Sequence, residues 1–245
     1  MIDLHSHVLP DQDDGARSLE ESLEMLRIAA DSGTTDIAAT AHANHQYAFD
    51  PAAVAYKLAC LRDAAGPLPR IHYGCELHLT AENIAAAARS PADYSIAQSG
   101  YLLIEFPDLQ IPPNTQDILQ RLVASGLRPI LAHPERNPAL QKTHRELKKW
   151  IDLGCAVQIT AQSITGAFGS GARLAASDFL RRGLVHLVAS DAHDPTHRPP
   201  ALKEARRCVE DRFGAPAADL LFKENPAAIL AGNAVVALPK RWSLW

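Results

Sequence analysis

The 245-residue chain contains no run of Lys or Arg, and its formal net charge of -4 gives no reason to expect nucleic acid or an anionic membrane as its main partner. Cysteine is scarce: Cys60, Cys75, Cys155 and Cys208 lie far apart with no C-x-x-C pair. That excludes a cysteine-ligated zinc site and reads as reduced thiols rather than a disulfide framework. No stretch approaches the ~18 consecutive apolar residues of a transmembrane helix. No basic and apolar leader precedes the strand-like residues that begin at Ile2, so a signal peptide is not expected and a cytoplasmic location is. Several catalytic signatures are also missing. There is no G-x-S-x-G elbow, no G-x-x-x-x-G-K-[ST] loop and no H-E-x-x-H pair, which removes the common serine-hydrolase, P-loop and metalloprotease readings. A cysteine-based phosphatase would need Arg six positions after its nucleophile, where this chain has Gly66, Ala81, Ala161 or Gly214.

What the chain has is a regular alternation of short β-type runs with helical segments, the pattern of a parallel α/β architecture. Strands are expected at 2–4, 36–39, 71–75, 101–104, 129–132, 156–159 and 186–189. Helices are expected at 51–65, 81–89, 115–125, 145–153, 172–182 and 200–213, with shorter ones at 217–224 and 226–231. The first helix is the best specified. Ser18 and Glu21 form an S-x-x-E capping box, Leu19, Leu23, Leu26 and Ile28 form an apolar stripe, and Gly33 stops it. No Pro/Ser/Gly-rich linker and no internal repeat interrupts the series, so residues 1–245 are read as one domain.

Almost every expected strand ends by delivering a side chain of metal-ligand type. The first gives Asp3, His5 and His7, the second His42, the third Glu76, the fourth Glu105, the fifth His133, and the seventh Asp191 and His193. In a βα barrel the C-terminal strand ends converge on one mouth, where catalysis takes place. The two-residue spacing of His5-x-His7 and Asp191-x-His193 would put each pair on one face of a strand. So many carboxylates and imidazoles at one mouth are costly to desolvate unless cations compensate them. A nitrogen and oxygen donor set without thiolate suits Zn²⁺, Mn²⁺ or Fe²⁺, and its size implies two or three ions sharing carboxylates. Arg136, in the run H-P-E-R, and Arg198, five residues after His193, fall on loops at the same mouth. Two planar fork donors beside a metal cluster suit a phosphate dianion, which points to phosphoester hydrolysis. Of the other histidines, His45 and His197 are the best candidates for substrate contacts.

The chain resembles the PHP (polymerase and histidinol phosphatase) superfamily, and within it the bacterial manganese-dependent protein-tyrosine phosphatases of capsule and exopolysaccharide operons. The residues that carry the likeness are M-I-D-L-H-S-H (1–7), D-D-G-A with an E-E-S helix (13–22), A-T-A-H (39–42), G-C-E-L (74–77), L-I-E-F (103–106), L-A-H-P-E-R (131–136), V-Q-I-T-A-Q-S-I-T-G-x-F-G (157–169), A-S-D-A-H (189–193) and N-P-A-A-I-L (225–230). The resemblance implies a distorted (βα)7 TIM-like barrel, the PHP fold, with a trinuclear site of divalent ions, Mn²⁺ foremost and Fe, Co or Zn as alternatives. His5, His7, Glu76 and Asp191 would hold one ion, Glu76, Glu105 and His133 a second, and Asp14, His42 and His193 a third. Arg136 and Arg198 would bind phosphate. It further implies attack of a metal-bridging hydroxide on phosphotyrosine of a protein, the tail of a membrane-associated bacterial tyrosine kinase of polysaccharide export. The family's usual T-P-H-H is replaced here by Thr40, Ala41, His42, Ala43, Asn44 and His45, which bears on substrate preference more than on metal binding. The alternative within the superfamily is a small-molecule phosphatase acting on histidinol phosphate or a nucleotide. An amidohydrolase barrel would carry a Lys where this chain has Glu105, and a barrel degenerated into a binding module would show gaps in its ligand set.

Overall fold

The computed structural model describes residues 1–107, 110–142 and 144–239. Among these are seven strands, β1 (Ile2–Ser6), β2 (Asp36–Ala43), β3 (Arg70–His78), β4 (Tyr101–Glu105), β5 (Arg128–Leu131), β6 (Ala156–Thr160) and β7 (Leu187–Ala189), hydrogen-bonded in that order. Every neighbouring pair is parallel. Helices on the outside connect them, so each strand runs in the same direction and all C-terminal ends open on one side. The sheet nearly closes into a barrel. At the seam Ser6 bridges Ala192, the Asp191 amide donates to the His5 carbonyl at 2.8 Å, and the His7 amide donates to the Ala192 carbonyl at 2.8 Å.

A bulge in β1 decides what the barrel presents at its mouth. Asp3 pairs with Ile37 but Ser6 pairs with Ala39, so β1 spends one residue more than β2 between these positions. Side-chain parity therefore flips inside the strand. Leu4 packs inward with Ala38, Leu103, Ile130, Ala156 and Leu187, filling the lower barrel, while His5 points into the mouth above them. Asp3 does not join His5 as simple alternation requires. Its Oδ1 accepts the Ser190 amide at 3.0 Å at the seam, and burial pushes its carboxyl up to about 6.

The layer between sheet and helices holds the largest cluster of buried apolar residues, including Leu102, Ile104, Trp150, Val157, Ile159 and Phe179. A second outer cluster seats the helices Leu19–Asp31 and Pro51–Ala65 on β2 through Met25, Leu26, Ile37, Ala39, Val54 and Leu61. Some helix boundaries depart from expectation for local reasons. Half of the capping box forms: Ser18 accepts the Glu21 amide at 3.3 Å, but the Glu21 carboxylate accepts the Arg17 amide at 2.8 Å instead of reaching back to Ser18. The helix expected from 200 begins at Lys203. Pro199 and Pro200 have no N–H, and Ser32, from the end of the first helix, accepts the Leu202 and Lys203 amides at 2.9 and 3.0 Å. The two short final helices follow one another without a loop, Ala215–Asp219 leading through a π turn at Leu220–Glu224 into Asn225–Leu230. No described helix is long and apolar enough to cross a membrane.

His186 ties β6 to the chain just before β7. Its Nδ1 accepts the Val157 amide at 3.1 Å, and burial lowers the imidazole to about 4 from an ordinary 6.5. The unfolded chain therefore takes up this proton first as pH falls. The stability that the neutral ring confers is complete above about pH 6.5 and declines toward pH 4, by up to about 3 kcal/mol. His186→Asn keeps an acceptor near the Nδ1 position and removes the titration. Chemical denaturation at pH 7.5 and 5 is expected to show a smaller loss of stability on acidification in this variant than in the wild type.

Candidate metal centre

All nine candidate ligands come together at the barrel mouth, and they form three overlapping groups: His7, Asp14, His42 and His193; His5, Glu76, His133 and Asp191; and His42, Glu76 and Glu105. Within each group the donor atoms lie within 4.8 Å of one another. The division differs from the one the resemblance implies, because His7 falls with Asp14, His42 and His193, and His133 falls with His5 and Asp191. Glu76 is the hub. Its Oε1 lies 3.2 Å from His5 Nε2 and 3.1 Å from His133 Nε2, and its Oε2 lies 3.3 Å from His7 Nε2 and 3.1 Å from His42 Nδ1.

The elements that aim these side chains are not all strand ends. His42 and Glu76, paired across β2 and β3, sit inside those strands, and Glu105 is the last residue of β4. β5 and β7 stop earlier, and His133 (φ 30°) and Asp191 (φ 52°) both adopt left-handed backbone. The expected strand alternation of Asp191 and His193 therefore does not occur; a turn at Asp191 aims both. Two non-glycine residues in this region store local strain at the positions where the ligands converge.

Neighbouring groups fix the imidazoles. Asp13 Oδ2 lies 2.9 Å from His7 Nδ1 and accepts the His42 amide at 3.0 Å, so it orients two candidate ligands at once. Gln158 Oε1 lies 3.1 Å from His5 Nδ1, and the Asp191 carbonyl lies 3.1 Å from His193 Nδ1. With those nitrogens engaged, the Nε2 atoms of His5, His7 and His193 face the cluster, the arrangement metal-bound imidazoles need. Gly15 lets the D-D-G-A turn lie against β1: a Cβ there would meet the His7 carbonyl oxygen at 2.1 Å. Asp13, Gln158 and Gly15 were not among the expected site residues. Their sequence cue was their place in the D-D-G-A and V-Q-I-T runs that carry the family likeness.

Burial alone would neutralise the two central carboxyls. It pushes Glu76 up, but the imidazoles of His5 and His42 outweigh it and hold Glu76 well below the carboxylate range. Burial is likewise outweighed at Asp191, chiefly by His5. His5 and His7 shift the other way. Burial opposes their protonation, yet Glu76 and Asp191 raise the first and Asp13 raises the second. His193 is depressed to about 3 by burial and by His7 beside it, so it is neutral at pH 7. The negative charge of this mouth thus requires cations, either protons on imidazole or metal ions that displace them. Metal fits better, since Glu76 Oε2 and His42 Nδ1, though 3.1 Å apart, are both buried and make no hydrogen bond to each other or to any other group.

Asp191 links the cluster to the two arginines. Its Oδ1 faces His5 Nε2 at 3.2 Å, while Oδ2 pairs with Arg136 Nη1 and lies 2.6 Å from Arg198 Nη2. Both guanidinium groups also pack over the Phe168 ring, at 4.6 Å for Arg136 and 5.6 Å for Arg198. Glu135, next to Arg136 in the chain, is fully buried and accepts the Thr160 amide at 2.8 Å and the Ser163 hydroxyl at 2.7 Å, which anchors the H-P-E-R turn to the end of β6. A cavity of about 200 Å³ above the cluster is lined by candidate ligands, both arginines, His78 and the segment from Asn44 to Tyr47. Its wall includes His45. His197 lies outside it, with a side chain 90% exposed, and is not placed to touch a substrate there.

Residues 1–231 match the family model described as capsular polysaccharide synthesis, CpsB/CapC. The chain belongs to this family. The tyrosine-protein phosphatase YwqE of Bacillus subtilis is 33% identical, over 98% of this chain and 95% of its own length. The tyrosine-protein phosphatase CpsB of Streptococcus pneumoniae is 31% identical, over 94% of this chain and 98% of its own. A solved structure from work on YwqE and CpsB, there described as unique metal-dependent tyrosine phosphatases, superposes with a TM-score of 0.91 at 31% identity, covering 98% of both chains. A D-hydantoinase structure reaches a TM-score of 0.54 at 15% identity, a likeness of barrel architecture alone.

Proposed function

We propose that the chain is a metal-dependent protein-tyrosine phosphatase, with His5, His7, Asp14, His42, Glu76, Glu105, His133, Asp191 and His193 holding two or three divalent ions, Mn²⁺ foremost. The observation that carries this reading is the shared carboxylate of Asp191, which faces the ligand cluster with one oxygen and Arg136 and Arg198 with the other. When bound, the ions supply Lewis acidity toward phosphate oxygens and lower the pKa of coordinated water.

The protein's own part is binding and orientation. The forks of Arg136 and Arg198 hold two phosphate oxygens and neutralise charge as it develops. Phe168 and Asp191 keep the forks in place before substrate arrives, so less side-chain freedom is lost on binding. Hydrolysis replaces the bond between phosphorus and the aryl oxygen with one to the oxygen of water. The departing tyrosinate, from a phenol of pKa near 10, takes its proton from solvent and needs no dedicated acid.

A protein substrate suits the size of the site. The cavity of about 200 Å³, and the neighbouring one of about 200 Å³ that shares Glu105, His133 and Arg136, are each smaller than the ~300–1,000 Å³ clefts that engulf whole small ligands, and His45 and Gln46 at the edge are exposed. The substrate is a phosphotyrosine tail of a membrane-associated bacterial tyrosine kinase of polysaccharide export, and the enzyme meets it from the cytoplasm. Phosphate release from a tyrosine-phosphorylated peptide, run beside histidinol phosphate and a nucleotide panel, tests the reading. The peptide is expected to give the highest kcat/KM. A preference for one of the small esters would move the assignment to the small-molecule phosphatases of the same superfamily.

A further inference from the structure

The segment that departs from the family's usual T-P-H-H forms a built turn at the edge of the mouth. Asn44 Oδ1 accepts the Gln46 and Tyr47 amides, each at 2.9 Å, and the Asn44 amide donates to the Tyr47 carbonyl at 3.1 Å. This Asx turn sets the position of the Tyr47 backbone. The Tyr47 ring then lies nearly parallel to the His42 imidazole, with centroids 5.9 Å apart and an interplanar angle of 12°. It is half-buried, so part of the ring remains open to the cavity it lines together with Arg136 and Arg198. Among the described residues lining that cavity, Tyr47 carries the only benzenoid ring; the rest are charged, amide or imidazole side chains.

A phosphate ester bound by both arginines has this cavity open to its leaving group, since both guanidinium groups line it, whereas only Arg136 lines the neighbouring cavity beside Phe106. An alkyl chain gains little from such polar walls. An aromatic leaving group gains from a flat ring already oriented against His42, because offset and edge-on aromatic pairs are favoured beyond simple burial. We propose that Tyr47 is a specificity-determining residue, its ring forming the wall that selects aryl over alkyl phosphate esters. The inference rests on the phosphatase reading above and adds to it the part of the substrate that this wall recognises.

The test compares Tyr47→Phe, Tyr47→Leu and Tyr47→Ala in the metal-loaded enzyme, with a phosphotyrosyl peptide and p-nitrophenyl phosphate as aryl substrates and inorganic phosphate as a competitive inhibitor without a leaving group. Tyr47→Ala and Tyr47→Leu are expected to raise KM for both aryl substrates about tenfold. Tyr47→Phe should stay within about twofold of the wild type. The inhibition constant of phosphate and the metal content should not move in any of the three. Unchanged KM in Tyr47→Ala, full retention in Tyr47→Leu, or a parallel loss of phosphate binding would overturn the proposal and leave the phosphatase reading standing. A wild type that hydrolyses neither aryl ester would overturn both.

Discussion

Glu76→Gln is expected to lower kcat/KM by about 10³-fold or more, equivalent to roughly 4 kcal/mol of barrier, and to lower the bound metal measured by elemental analysis. The substitution preserves shape and removes one negative charge. Glu76 belongs to two of the three donor groups, and its two oxygens lie within 3.3 Å of nitrogens on His5, His7, His42 and His133. A neutral amide cannot serve as a bridging anion, and its NH₂ would face donor nitrogens or cations. The layer beneath, with Leu4, Leu103 and Ile130, is untouched, so thermal unfolding should show a folded protein. Wild-type turnover with full metal content would show that Glu76 is not needed to hold the metal.

Arg198→Ala is expected to cost about 10²–10³ in kcat/KM, the range for losing one preorganised donor to developing charge, and to weaken inhibition by inorganic phosphate. Arg136→Ala should behave alike. Arg198→Lys should recover little, because an ammonium lacks the planar fork that meets phosphate bidentately. Removing both arginines should cost less than the product of the single losses, since both rest on Asp191 Oδ2 and on the Phe168 ring and each supports the other. Equal single and double losses in thermal stability, with turnover retained, would assign the pair to structure instead.

Most of the architecture was legible because its signals are periodic and local. Each strand run lies within a few residues of its expected place, and the residues Asp36, Tyr101 and Ala156 begin strands as the alternation requires. His42, Glu76 and Glu105 were expected just past the ends of their strands; the strands run further, to Ala43, His78 and Glu105, and carry these side chains themselves. What could not be read was where parity breaks. Nothing in I-D-L-H-S marks the bulge that turns Asp3 to the seam and His5 to the mouth. Nor does D-A-H announce that Asp191 leaves the strand with a left-handed backbone. Long-range partners were equally silent: Gln158 is 153 residues from the His5 ring it steadies, and Ser32 caps a helix 170 residues further on. The resemblance to known phosphatases supplied Asp14, which no strand pattern would have chosen, and passed over Asp13, which holds His7 and the His42 amide.

The nine side chains at the mouth are proposed to act through bound metal on phosphotyrosine. Phosphate release from one tyrosine-phosphorylated peptide should be measured with the purified protein, after treatment with chelator, and after Mn²⁺ is returned. Turnover that chelator abolishes and Mn²⁺ restores is the expected result. Undiminished turnover after complete removal of metal, verified by elemental analysis, would contradict it.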